Sequence, residues 1–150
     1  MDSNICIDIE IASFALGELF IDNASKTPDI YISEISSEEF YSLNSSSLNY
    51  PDGINFGLFE NEVLVGCIGV KKYEWESAKI YGLYVTPKKR AKGYGKRLVN
   101  HIVNLYPNRL LYATVNSENI PSIKVFNACG FAIQKKITSP QGNQIYIMTL

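Results

Sequence analysis

The sequence predicts an α/β protein, of the α+β kind with one mixed sheet, from three observations. Short segments of β-rich apolar character crowd the middle of the chain. Two helical stretches then alternate with strands in the second half. Gly, Pro and Asn fall at the joins between segments, where turns need them.

Asn4–Ile11 reads as a strand, because Ile5, Ile7, Ile9 and Ile11 alternate as one buried face requires. Ser13–Ala24 carries Phe14, Leu16, Leu19 and Phe20 at helical spacing, while Asp29–Ser33 stays open between strand and coil. Ser36-Ser37-Glu38-Glu39 opens a helix, with a serine cap and acids in the first turn, and this helix fades in the serines before Pro51. Ile54–Phe59, the turn Glu60-Asn61-Glu62 and Val63–Lys72 form a hairpin, followed by a strand over Lys79–Val85 that Pro87 ends. A helix follows from Gly93, with Leu98, Ile102 and Leu105 on one face, and stops before Pro107. Leu110–Val115 is a short apolar strand. The next helix holds Pro121 in its first turn and stops at Gly130, which suits a left-handed terminus. Phe131–Thr138 and Gln144–Leu150 are strands joined by the loop Ser139-Pro140-Gln141-Gly142-Asn143. The predicted order is β-α-α-β-β-β-α-β-α-β-β.

A chain of 150 residues with 46% hydrophobic and 19% charged residues is expected to fold as a single domain over 1–150. No apolar stretch approaches the roughly 18–20 residues that span a bilayer, and no cationic leader precedes an apolar run. The three cysteines, Cys6, Cys67 and Cys129, are far apart and form no C-x-x-C pair, which argues against a disulfide framework or a zinc site. The expectation is a reduced cytoplasmic protein with no metal and no membrane partner.

Net charge is −1, yet six cations and no acid lie between Lys88 and Arg97. Ten of the acids fall between Asp2 and Asp52, where Lys26 is the only cation. Nucleic-acid binders present a broad basic face, so one short basic spot on an acidic body points instead to a compact polyanion.

The basic spot is Arg90-Ala91-Lys92-Gly93-Tyr94-Gly95-Lys96, directly between a strand and a helix. Gly93 and Gly95 lack Cβ, so the backbone can approach a ligand closely. The first N–H groups of a helix have no internal partners and sit at the positive end of its dipole, where phosphate binds. Cations there oppose the macrodipole by about 0.3–1 kcal/mol each, which an anion at the site would offset. The bland alternative is a turn followed by a solvated, charged helix start. A P-loop fails on spacing, since Arg97 follows Gly95-Lys96 and Arg90 occupies the leading glycine position. A dinucleotide fingerprint fails too, because Leu98 stands where its third glycine would be.

Arg90-x-x-Gly93-x-Gly95 after a strand resembles the signature [RQ]-x-x-G-x-[GA] of the GCN5-related N-acetyltransferase (GNAT) family. A second block, Asn119 to Phe131 after the Leu110–Val115 strand, resembles that family's pattern N-x-x-A-x-x-x-Y-x-x-x-G-F, with Ser122 at the small position and Gly130-Phe131 intact. The order of elements is similar as well, across nearly the whole chain, and weakest before residue 54.

The resemblance implies the acyl-CoA N-acyltransferase fold, acetyl-CoA as cosubstrate and no metal. It places the CoA pyrophosphate on the backbone of Arg90, Ala91, Lys92, Gly93, Tyr94, Gly95 and Lys96. It sets the pantetheine arm along Leu83, Tyr84 and Val85, whose backbone would polarise the thioester. Asn119 would hold the pantetheine from the other side, or else simply cap its helix. Two positions depart from the pattern: Phe126 stands where a tyrosine often protonates the leaving thiolate, and Lys79 where some members carry a carboxylate base. A thiol with pKa near 8.5 leaves tolerably unassisted, so neither departure excludes activity. Tyr81, on the same strand face as Lys79, is the candidate for proton transfer, with a packed core tyrosine as its alternative. His101 has no metal-ligand partners at useful spacing, and Cys129 is expected to lie far from the electropositive helix start that would activate it and to be inert.

Three functions are therefore compared. The first is an N-acetyltransferase using direct attack by a primary amine, either a small molecule or a lysine or N-terminal amine of a peptide. The acidic first third suits a cationic acceptor such as a polyamine. The second is a non-catalytic acyl-CoA-binding or regulatory module, and the third a phosphate binder unrelated to CoA. Monomer and homodimer both remain open.

Overall fold

The computed structural model describes residues 27–73 and 76–150. The Asn4–Ile11 strand and the Ser13–Ala24 helix lie outside the described residues. Within them, the strands are β1 (Ile30–Ile35), β2 (Ile54–Glu60), β3 (Val63–Lys72), β4 (Ser77–Val85), β5 (Leu110–Asn116), β6 (Ala132–Thr138) and β7 (Gln144–Thr149). The helices are α1 (Ser37–Leu43), α2 (Tyr94–Leu105) and α3 (Ile120–Ala128), with a 3₁₀ turn at Pro87–Lys89. The open stretch Asp29–Ser33 resolves as most of β1, paired antiparallel with β2 from Ile30↔Glu60 to Ile35↔Asn55. The strands form one sheet in the order β1-β2-β3-β4-β5-β7-β6.

Every pairing is antiparallel except β4 with β5. A parallel pair needs a crossover, and α2 supplies it. Leu98, Val99 and Ile102 of α2 are fully buried on one face of the sheet, with Ile68, Val70, Ile80, Ala113 and Phe126. Each such aliphatic side chain contributes about 1.5–3 kcal/mol. Leu105, expected on that stripe, is 46% exposed, and Val99 takes its place in the core. The other face carries a smaller cluster in which α1 lays Phe40 on Cys67 and Tyr81. The serine cap expected at α1 forms, and Glu39 completes it as a capping box: Glu39 N–H donates to Ser36 Oγ, and Ser36 N–H donates to Glu39 Oε1, both at 3.0 Å. Alternation along β4 therefore sends Tyr81 toward α1 and Ile80 toward α2.

Candidate active site

Two irregularities in β4 open the sheet. Against β3, Tyr84 faces Cys67 and Tyr81 faces Gly69, so Gly82 and Leu83 together oppose Ile68 alone. That extra residue is a β-bulge, which bends the strand and frees backbone groups. Gly82 takes φ +68°, and a Cβ there would strike the Phe40 ring. Against β5, pairing stops at Ile80↔Ala113, although both strands continue. Beyond that point β4 and β5 splay apart.

A cavity of about 310 Å³ fills the splay. It is lined by β4 from Lys79 to Tyr84, by β5 from Ala113 to Asn116, and by Asn119, Ser122 and Phe126 of the α3 region. Asn44, Ser46, Ser47 and Leu48, which follow α1, close its other side. That wall is pinned: Asn44 Nδ2 donates to the Gly82 carbonyl at 3.0 Å, and the Tyr41 hydroxyl donates to the Leu48 carbonyl at 2.8 Å. The cavity thus runs between the two faces of the sheet, with α3 on one side and the α1 segment on the other.

At the C-terminal end of β4 the chain turns through Pro87–Lys89 into α2. Ala91 and Gly93 both adopt left-handed φ, +64° and +82°, and Gly93 is the N-cap. Successive amides in such turns form anion-binding hollows. The first α-helical bond here runs from Arg97 N–H to the Gly93 carbonyl at 3.1 Å, so the amides of Tyr94, Gly95 and Lys96 have no intrahelical acceptor. A Cβ on Gly93 would meet nothing within 4 Å, which leaves that side of the loop open to a ligand. Gly95 instead faces α3, where its Cβ would lie 3.2 Å from Val125 Cγ2.

The loop's side chains sort themselves in ways the sequence concealed. Lys89 is not available to an anion. Its Nζ lies 2.8 Å from Oε1 of Glu60, without hydrogen-bond geometry, and the Tyr94 hydroxyl donates to Oε2 at 2.9 Å. Glu60 is 7% exposed, and Lys89 first, then Tyr94, hold its carboxyl below the usual range. Burial in turn raises the Tyr94 phenol. An acid at the end of β2, thirty residues upstream, therefore anchors the loop. Arg90 folds back: its Nε donates to the Val85 carbonyl at 2.7 Å, and its guanidinium lies 5.4 Å from the Tyr84 ring centroid. Lys88, Lys92 and Lys96 remain exposed around the turn.

Asn119 lines the cavity and caps α3 at once, its Oδ1 accepting from Ser122 N–H at 3.4 Å. Phe126 is 3% exposed and packs edge-on against Phe131 at 5.2 Å. Tyr81 is 6% exposed; its hydroxyl donates to Asn55 Oδ1 at 2.6 Å, and burial raises its pKa. Lys79 Nζ donates to the Tyr50 hydroxyl at 2.9 Å. The acidity of the first third is not repeated in the cavity: no carboxylate among the described residues lines it.

Cys129 needs a correction. Its thiol lies 3.8 Å from the Lys96 carbonyl, against the first turn of α2 rather than far from it. Burial nevertheless raises its pKa, so it stays a thiol. His101 is half-buried, edge-on to Phe56 at 4.9 Å, and burial lowers its pKa. Among the described residues, no group of three or more His, Cys, Asp or Glu could hold a metal, and no helix is long and apolar enough to cross a membrane.

The overall fold recurs in solved structures. The Escherichia coli ribosomal-protein-S18-alanine N-acetyltransferase superposes with a TM-score of 0.67 at 16% identity, over 81% of this chain and 93% of its own. Arabidopsis thaliana Naa50, in complex with a bisubstrate analogue containing CoA, gives 0.65 at 19% identity, over 81% and 97%. The Vibrio cholerae spermidine N-acetyltransferase gives 0.67 at 14% identity, over 81% and 92%. At such identities these likenesses speak for the fold alone. No curated protein matches the chain in sequence. The profile of the acetyltransferase (GNAT) family, however, matches residues 19–131. With three quarters of its length inside that match, the chain belongs to the GNAT acetyltransferase family.

Proposed function

We propose that the chain is an N-acetyltransferase, one domain over 1–150, that moves the acetyl group of acetyl-CoA to a primary amine by direct attack. The observation that carries this reading is the cavity through the splayed β4/β5 sheet, with unpartnered helix-start amides beyond one end of β4. The pyrophosphate sits on the amides of Ala91 to Lys96, with Lys88, Lys92 and Lys96 around it. The pantetheine arm lies along Leu83, Tyr84 and Val85, on the edge of β4 that β5 leaves unpaired, between that strand and Asn119. A backbone donor at the bulge polarises the thioester carbonyl, which typically contributes a few kcal/mol. The amine enters from the α1 side and attacks the carbonyl carbon. The C–S bond breaks, CoA leaves as thiolate, and the amine's proton passes to water in the cavity. Phe126 has no proton to give, and Tyr81 serves as a wall whose hydroxyl already bonds Asn55.

Thermal melts with CoA, acetyl-CoA and ATP side by side test the cosubstrate, and an amine panel with thiol detection tests the transfer. CoA species should stabilise the fold more than ATP does, and at least one amine should release CoA. Equal stabilisation by ATP would overturn the assignment. Stabilisation by CoA without turnover would favour a CoA-binding module, for which the buried Phe126 ring is the supporting observation; in that case Phe126→Tyr would gain no activity.

A further inference from the structure

Among the described residues lining the cavity, Lys79 alone carries a charge. It stands on the α1 face, on the side assigned above to the acceptor. Its Nζ is 2.9 Å from the Tyr50 hydroxyl and 5.4 Å from the centroid of that ring. Tyr50 tilts against Tyr81 at 4.5 Å, and the Tyr81 hydroxyl is taken by Asn55. Asp52 brings a carboxylate to the same region, but it pairs with Lys71, the cross-strand neighbour of Lys79. Among the described residues, the patch therefore holds two cations and one anion. A hydroxyl and an aromatic face orient the Lys79 ammonium without neutralising it. A half-buried cation held this way attracts an anion more strongly than one in bulk water.

We propose that Lys79 binds a carboxylate on the acceptor, so that the substrate is an amine bearing a carboxylate, such as a free amino acid or an ω-amino acid. This rests on the acetyltransferase reading and narrows its acceptor. Polyamines offer Lys79 only a like charge, which repels them. The same charge has a second effect on an incoming ammonium: a nearby cation favours its neutral form, the form that attacks the thioester.

The test compares amines matched except for the carboxylate: lysine against cadaverine, and 4-aminobutyrate against butylamine. The carboxylate-bearing member should have the higher kcat/KM by about ten- to a hundredfold, the range expected for a charge-assisted contact. Lys79→Met should collapse that ratio toward one, and Lys79→Glu should invert it. A cooperative thermal melt reports whether each variant is folded. Equal or better use of cadaverine and butylamine would overturn the proposal, as would a ratio that survives Lys79→Met. Should none of the four amines be acetylated, the wider amine panel decides the acetyltransferase reading, and calorimetry with and without CoA decides the Lys79 site separately. Binding of the carboxylate-bearing members alone, weakened tenfold or more in Lys79→Met, supports the site. Binding indifferent to the carboxylate, or absent, refutes it.

Discussion

The Glu60 carboxylate ties Lys89 and Tyr94 to the end of β2, so its charge state couples the loop to pH. Its folded pKa is depressed, by Lys89 first and by Tyr94 second. Stability from such a group is fully present above the unfolded carboxylate value of about 4.3 and is lost as pH falls through the lower folded value. Glu60→Gln should therefore melt earlier than wild type at pH 7, with the gap narrowing below about pH 4. Melts from pH 7 to 3 check this, and a gap independent of pH would remove the ionic account. Tyr81 offers a sharper contrast. If its hydroxyl only satisfies Asn55, Tyr81→Phe leaves a buried acceptor unpaired and costs about 1–3 kcal/mol. Turnover per folded molecule should then change little. A proton relay would lose about 10²–10⁴-fold. Denaturant titration beside kcat separates the two outcomes.

At the scale of elements, the turn into α2 depends on Gly93 at φ +82°. A β-branched residue there is strained by roughly 1–2 kcal/mol and would fill the open side of the loop. Gly93→Val should retain a cooperative melt while losing stabilisation by CoA; normal CoA binding by that variant would refute the loop assignment. This loop was legible in the sequence because its physics is local: two glycines, a strand end and a helix start stand within a few residues. The hairpin of β2 and β3 and the serine cap of α1 were legible for the same reason. The bulge at Gly82-Leu83 was not, since a bulge is defined by the register of a neighbouring strand. Nor could the partnership of Lys89 with Glu60 be read off, because it spans the sheet. Leu105 fitted the helical period, yet α2 turns that position outward near its end. β1 lacked a strong alternating pattern, and its pairing with β2 decided it.

For the whole molecule, the cavity's two sides bear on how the proposed transfer would run. The glycine-containing loop proposed to hold the pyrophosphate lies at the start of α2, on the sheet face that α2 and α3 cover, while Lys79, Tyr81 and the segment after α1 belong to the opposite face. On the proposed reading, two substrates approaching from opposite faces occupy the splay together, which would hold amine and thioester within reach of attack and lower the entropic cost of a bimolecular encounter. A covalent acetyl-enzyme would need an activated nucleophile at the cavity. Neither described cysteine lines it: the Cys67 thiol is buried beneath α1 and pushed up to about 12, and Cys129 lies against Lys96. Ser46, Ser47 and Ser122 do line the cavity, but the only described histidine, His101, sits against Phe56 and does not, so no imidazole base is there to activate them. Initial rates with both substrates varied should consequently give intersecting double-reciprocal lines, the mark of a ternary complex. Protein incubated with radiolabelled acetyl-CoA and no amine should retain no label after denaturation. Parallel lines with a stable acetylated side chain would instead mean that the acetyl group rests on the protein, and the through-sheet geometry would then serve a two-step transfer.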